Sequence, residues 1–215
     1  NAKREVNSQT DIVPLLSRLN EGEVLDFRAL LYARLVLEHP QWEACQVLDY
    51  ELSFYDTQAP SLIGLRQEFI ASARLDNLLS CFTGLQALLE SSGAQSSLLI
   101  CNDHEEVGSI SASGAGGPLL TSVLNRVAGN DTNYAALAER SMMISVDNAH
   151  AIHPNFADRH DQNHGPLLNG GPVIKVNASQ RYATNSETSG LFRILASLEA
   201  VPVQSFVVRN DMACG

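Results

Sequence analysis

The segment CNDHEEVGS, residues 101–109, carries the residue types that point most directly to chemistry. Two adjacent glutamates, Glu105 and Glu106, follow an Asp-His pair and precede a glycine, directly after the apolar run SLLI. Of two neighbouring carboxylates, one can bind a divalent metal ion while the other stays free as a general base. The doublet therefore predicts a metal or acid–base site where a buried strand ends.

Other acidic residues and histidines stand in comparable positions along the chain. Asp147 ends a second apolar run, SMMISVD, and Asp76 lies where an extended segment passes into a helix. Five of the six histidines fall between residues 104 and 164. Zinc and similar ions take carboxylate and imidazole ligands from several loops. One such aspartate would more often be a solvated loop residue or a helix cap, but three sites at strand ends favour a metal centre.

The elements that must position these residues alternate between helix and strand from residue 65 onward. Apolar spacing predicts helices over residues 78–90, 118–129, 133–140 and 187–200, with Ser186 capping the last. Apolar runs predict strands over residues 68–72, 96–102, 141–147, 172–177 and 203–210. This rhythm predicts an α/β fold with a largely parallel sheet flanked by helices on both faces. Sites in such sheets form beyond the carboxyl ends of the strands.

Residues 1–64 do not continue this rhythm. The segment 24–38 has the spacing of one helix, and the segment 46–58 alternates like an exposed strand or hairpin. We interpret residues 1–64 as a fragment of a separate subdomain, packed beside the main domain or inserted into it.

Composition excludes several classes of function. The 215 residues carry a formal net charge of −10, and lysine occurs only at Lys3 and Lys175. A nucleic-acid surface needs clustered basic residues, so we expect no nucleic-acid partner. No apolar run approaches the ~20 residues of a membrane span. The four cysteines show no close pairing, which predicts buried, reduced thiols in a cytoplasmic protein. The glycine-rich run GSISASGAGG lacks a phosphate-loop pattern and predicts close backbone approach instead.

Six motifs taken together resemble the aspartyl aminopeptidase family of two-metal zinc exopeptidases. They stand in the family's order and cover nearly all of the chain from residue 48 onward: RLDN, DHEEVGS, SVDNAHAIHPN, GPVIKVN, QRYATN and VRNDMACG. The resemblance implies that Glu105 is the general base and that Glu106 is a zinc ligand. It also implies that Asp76 bridges two zinc ions and that Asp147 binds one of them.

The resemblance also implies a domain plan. Residues 1–64 would be a fragment of a dimerisation subdomain, and residues 65–215 a metallopeptidase catalytic domain that is incomplete at its carboxyl end. The family takes one further histidine ligand from an upstream H-x-D motif and another near the carboxyl end, and neither has a counterpart here. We expect two zinc ions per subunit in the complete protein, and weak zinc binding without activity in this polypeptide alone. The family pattern further implies a cis peptide bond after Asp76.

The implied substrates are peptides with an acidic N-terminal residue. In the family pattern Lys175 contacts the acidic side chain of that residue, although a lysine among apolar neighbours could also reach solvent or pair with a nearby carboxylate. The family pattern also places His153 at contacts that hold a homo-oligomer together, with dimers assembling to a dodecamer, whereas the role of His150 stays open. A non-catalytic relative serving assembly, or a two-metal carboxypeptidase or deacylase, are the alternative functions.

Overall fold

The computed structural model describes residues 5–161 and 163–207. The chain divides into two compact units, Asn1–Thr57 and Gln58–Gly215. The boundary inferred from sequence rhythm is at residue 64, and the assignment of the first unit to a dimerisation subdomain remains a prediction. In the described parts of the chain, no helix has both the length and the apolar character needed to cross a membrane.

The first unit is built on one helix, α1 (Phe27–Glu38), followed by a short 3₁₀ helix over Pro40–Trp42. Arg28 donates hydrogen bonds to the carbonyl groups of Val47 and Leu48, so this segment returns beside α1. No strand is formed over residues 46–58, and the predicted strand or hairpin there is wrong. The Arg28 side chain of α1 satisfies two of the carbonyl groups in this stretch, and neither of the two ladders among the described residues includes it.

The second unit contains the predicted helices and several short strands. The helices are α2 (Leu75–Glu90), α3 (Leu119–Ala128), α4 (Asp131–Glu139) and α5 (Ser186–Leu198). The strands are β1 (Ser61–Ile63), β2 (Phe69–Ala71), β3 (Val173–Val176) and β4 (Gln204–Val207). β1 pairs with β2 in antiparallel orientation, and β3 pairs with β4 in parallel, with Val173 opposite Gln204.

The unit β3–α5–β4 shows the α/β character that the sequence predicts. Its two parallel strands are joined through a helix, and the buried apolar residues Ile174 and Ala196 come from β3 and α5. The predicted cap of α5 needs correction, because Asn185 rather than Ser186 accepts the hydrogen bond from the Thr188 amide. Thr188 in turn accepts a bond from the Asn185 amide through Oγ1, which completes a capping box.

Two predicted strands are not formed. Residues 96–102 and 141–147 have no strand conformation, although both are apolar runs of strand length. A strand requires a neighbour whose backbone groups pair with its own, and among the described residues the only ladders are β1–β2 and β3–β4. The fold is of the α/β class, while its sheet is only partly assembled over the described residues.

The cysteines differ from the sequence prediction of buried thiols. Cys45 and Cys101 are exposed and Cys81 is partly buried, and all three are free thiols. Cys214 lies outside the described residues. The prediction of burial is therefore wrong for Cys45 and Cys101, because the apolar segments around them are themselves largely exposed.

Candidate metal centre

Asp76 lies in an irregular first turn of α2. The backbone is non-helical at Asp76 and Asn77, and Arg74 precedes them in a left-handed conformation with φ of 60°. The peptide bond between Asp76 and Asn77 is cis, as the family resemblance implies. Asp76 therefore lies in a non-helical turn that precedes the regular part of α2.

Asp76 lies beside Asp147, which follows a different part of the chain. The carboxyl group of Asp147 contributes to the raised pKa of Asp76, so the two acids lie close together. Ser80, one turn into α2, donates a hydrogen bond of 3.2 Å to Oδ1 of Asn148, the residue after Asp147. α2 and the segment at residues 147–148 are therefore held together at the point where both acids project.

Lys175 completes this group from β3. Its Nζ donates to Oδ2 of Asp147 at 2.9 Å and to the carbonyl oxygen of Asn148 at 2.8 Å. Only 18% of its side chain is exposed, compared with 40% for Asp147. The partly buried ammonium is therefore paired, which is one of the alternatives that the sequence left open.

The two aspartates have pKa values displaced in opposite directions. Burial raises the pKa of Asp76, and the hydrogen bond and negative charge of Asp147 raise it further. Burial acts to raise the pKa of Asp147 as well, but the hydrogen bond and positive charge of Lys175 outweigh it and lower the pKa overall. Adjacent carboxylates cannot both ionise without cost, and a cation between them relieves their repulsion. The pair suits a divalent cation.

Glu105 and Glu106 stand in a short 3₁₀ helix, Glu105–Val107, and both are exposed. The negative charge of Glu106 also contributes to the raised pKa of Asp76, which places it within electrostatic range of the aspartate pair. His104, directly before the doublet, has its Nδ1 2.8 Å from Oγ of Ser111. The contact between His104 and Ser111 therefore stabilises the loop that bears the two glutamates.

Glycines make this loop compact. A Cβ atom added at Gly114 would lie 2.2 Å from the carbonyl oxygen of Ser109, and one at Gly117 would lie 1.8 Å from that of Ser111. A side chain cannot be accommodated at either distance, so the prediction of close backbone approach in the glycine-rich run is confirmed. The loop that follows the glutamate doublet therefore depends on these glycines.

The predicted ligands are only partly gathered. Lys175 contacts Asp147, and Asp76 lies close enough to Asp147, Lys175 and Glu106 for their charges to act on its pKa. The described residues nevertheless contain no group of three or more His, Cys, Asp or Glu side chains placed to hold a metal ion. The donor types fit zinc, whereas a complete coordination sphere requires further ligands. The individual roles of these residues stay predictions.

The two candidate histidines have different environments. His153 accepts a hydrogen bond of 3.1 Å from the Asn155 amide and caps the 3₁₀ helix Pro154–Arg159. His150 is exposed. The sequence reasoning overlooked Ser80 and Asn148, which join α2 to the segment that carries Asp147. In the sequence, only the position of Asn148 directly after Asp147 could have indicated that Asn148 lies near the site.

The entire chain, residues 1–215, matches the family model described as aminopeptidase I zinc metalloprotease (M18). The chain belongs to the M18 family. Curated relatives named probable M18 family aminopeptidase 2 are 59% identical over 210 residues in Ectopseudomonas mendocina (strain ymp) and 59% over 211 residues in Pseudomonas entomophila (strain L48). Each alignment covers 98% of this chain and 49% of the relative, so the chain spans about half the length of these M18 proteins.

Solved structures of M18 proteins have the same fold. The chain aligns with a structure of an Ape4 and Nbr1 complex with a TM-score of 0.64 and 42% identity, covering 74% of this chain and 32% of the other. It aligns with the S. cerevisiae mApe1 dodecamer with a TM-score of 0.60 and 28% identity, covering 72% and 38%. The family resemblance and the α/β fold predicted from the sequence are both confirmed at the level of the M18 family.

Proposed function

We propose that the full-length protein is a metal-dependent aminopeptidase that releases acidic residues, Asp or Glu, from the N-termini of peptides. The observation that carries this proposal is the ion pair of Lys175 with Asp147, within electrostatic range of Asp76, in a chain of the M18 family. Two neighbouring carboxylates attract a divalent cation, and a partly buried ammonium beside them provides a positive charge near the same place.

The metal would be held by Asp76, Glu106 and Asp147, with two zinc ions per subunit in the complete protein. When bound, zinc polarises the carbonyl group to be cleaved and acidifies water. Glu105 is the group that we assign to proton transfer: its carboxylate accepts a proton from the attacking water and returns it to the nitrogen of the departing amine. The exposure of Glu105 leaves its carboxylate accessible to water.

Preference for an acidic first residue would come from Lys175. Its ammonium lies 2.9 Å from Asp147, at the edge of the proposed metal site. A substrate carboxylate that reaches this position finds a positive charge that is shielded from solvent, whereas a neutral side chain provides no partner for it. The ion pair with Asp147 shows how the ammonium is satisfied in this structure.

The complete protein would act as a homo-oligomer in the cytoplasm. A solved M18 relative forms a dodecamer, and we propose the same assembly from dimers here, with His153 at a subunit contact. The free thiols of Cys45, Cys81 and Cys101 support a reducing compartment. The net charge of −10 supports peptide substrates rather than nucleic acid.

Metal analysis combined with a substrate panel tests the function. We expect the full-length protein to carry two tightly bound zinc ions per subunit and to cleave Asp- and Glu-initiated peptides faster than Leu-initiated ones. A protein without turnover on any substrate would be a non-catalytic relative. Cleavage confined to C-terminal residues or acyl groups would identify a carboxypeptidase or a deacylase, and either result would overturn the proposal.

A further inference from the structure

Asn148 is the residue at which three segments of the second unit meet. Its side-chain oxygen Oδ1 accepts the hydrogen bond of 3.2 Å from the Ser80 hydroxyl of α2, and its carbonyl oxygen accepts the bond of 2.8 Å from Nζ of Lys175 in β3. Ser80 and Asn148 are both partly buried. Asn148 directly follows Asp147 in the sequence, and Ser80 lies four residues after Asp76. The bond between them therefore links the two segments that carry the aspartates.

The segment that carries Asp147 depends on such links for its position. Residues 141–150 have no regular secondary structure, and they take part in neither of the two ladders in the described parts of the chain. A segment outside a ladder is held by individual contacts instead of by paired backbone groups. The bond from Ser80 joins this segment to α2, and the two bonds from Lys175 join it to β3. The position of Asp147 is therefore set partly through the residue that follows it.

The turn that carries Asp76 is held to α2 by a further hydrogen bond. Cys81 donates from Sγ to Oδ1 of Asn77 at 3.3 Å. Asn77 directly follows Asp76 and lies with it in the non-helical turn. Because Ser80 is the residue before Cys81, this turn and the segment at residues 147–148 are anchored to the same point of α2.

We propose that Ser80 and Asn148 are positioning residues of the metal centre. Their hydrogen bond sets the separation of the Asp76 and Asp147 carboxylates and thereby the affinity of the site for zinc. This inference rests on the proposed function, in which both aspartates bind zinc. A bond from zinc to a carboxylate oxygen is about 2.0–2.2 Å long, so ligands from two segments serve one centre only at a defined separation. Residues that orient a metal ligand contribute about 10- to 100-fold to metal affinity.

Two substitutions remove the link and leave the proposed ligands in place. Ser80→Ala removes the donor and Asn148→Ala removes the acceptor, while the carbonyl oxygen of Asn148 is retained for Lys175. Thr83→Ala is the matched control, because the Thr83 hydroxyl donates to the carbonyl groups of Leu79 and Ser80 within the same helix. Ser80→Thr is the conservative variant, since it keeps a hydroxyl group at this position.

The zinc affinity of the full-length protein, measured by competition with a chelating dye, tests the inference without relying on activity. We expect the dissociation constant to rise about 10-fold in Ser80→Ala and in Asn148→Ala, and to stay near the wild-type value in Ser80→Thr and Thr83→Ala. The double variant should bind zinc no more weakly than either single variant, because both changes remove the same bond. Thermal unfolding of the metal-free variants should give midpoints near that of Thr83→Ala, which shows that the fold is retained.

Several results would overturn the inference. Unchanged affinity in both single variants would do so, as would additive losses in the double variant or an equal loss in Thr83→Ala. If affinity falls only in variants that are unfolded without metal, Ser80 and Asn148 support the fold alone and the inference is wrong. Tight zinc binding by the wild-type protein distinguishes all of these results from a failure of the proposed function, because wild-type protein without tightly bound zinc would contradict that function and the inference together.

Discussion

At the scale of single residues, the glutamate doublet allows a base to be distinguished from a ligand. Glu105→Gln in the full-length protein should lower kcat by at least about 100-fold, because an amide cannot accept the proton of water, while zinc content stays at the wild-type value. Glu106→Gln is the matched control in the same 3₁₀ helix and should lower zinc content instead. Retained activity in Glu105→Gln, measured beside metal analysis, would contradict the assignment of Glu105.

Lys175 is the second residue whose role can be measured. Lys175→Met should reduce kcat/KM for Asp- and Glu-initiated peptides much more than for Leu-initiated ones, because it removes the charge that pairs with an acidic side chain. The ion pair with Asp147 provides a competing explanation, in which Lys175 supports a metal ligand. Equal losses on all three substrates, together with reduced zinc content, would show that explanation to be the right one.

The site could be predicted from the sequence in part only. Glu105, Glu106 and Asp147 follow apolar runs, and this local pattern indicated residues that share one edge of the fold. The contact of Asp147 with Lys175 joins residues that are 28 positions apart, and no local spacing encodes it. The sequence therefore left an ion pair of Lys175 as one of several alternatives, and the structure identifies Asp147 as its partner.

At the scale of elements, helices were predicted better than strands for a physical reason. α2, α3 and α5 are stabilised by hydrogen bonds within each helix, so their apolar spacing and end residues, such as Gly129 after α3, are sufficient signals. Strands depend on a neighbour elsewhere in the chain. The runs 96–102 and 141–147 have the composition of strands but no ladder among the described residues.

The cap of α5 provides a prediction at the element scale. Asn185→Ala should destabilise the full-length protein by about 1 kcal/mol, because the Thr188 amide loses its acceptor at the helix start. Ser186→Ala is the matched control, since Ser186 is already the first helical residue, and its effect should be much smaller. The two midpoints of thermal unfolding can be compared directly. If Ser186→Ala caused the larger loss, the cap inferred from the sequence would be correct.

At the scale of the whole molecule, the chain buries little of its apolar surface. Among the described residues, the buried apolar side chains are Ile174 and Ala196, whereas many large ones are exposed, including Leu65 and Ile110. Exposed apolar surface of this extent marks faces that pack against further protein. The chain spans about half the length of its curated relatives. The partly assembled sheet and the exposed apolar faces both fit a chain that packs against further protein in the complete molecule.

Assembly of the complete protein is tested at His153, where the structure separates two possible roles. His153 caps the 3₁₀ helix Pro154–Arg159 through Nδ1, and we propose that its imidazole also contacts a neighbouring subunit. His153→Phe removes both functions, whereas His153→Asn retains a capping side chain and removes only the imidazole. Both variants should therefore lower the mass of the oligomer in light scattering. If His153→Asn keeps the wild-type mass while His153→Phe does not, the residue acts through the cap alone, and an unchanged mass in both variants would exclude His153 from assembly.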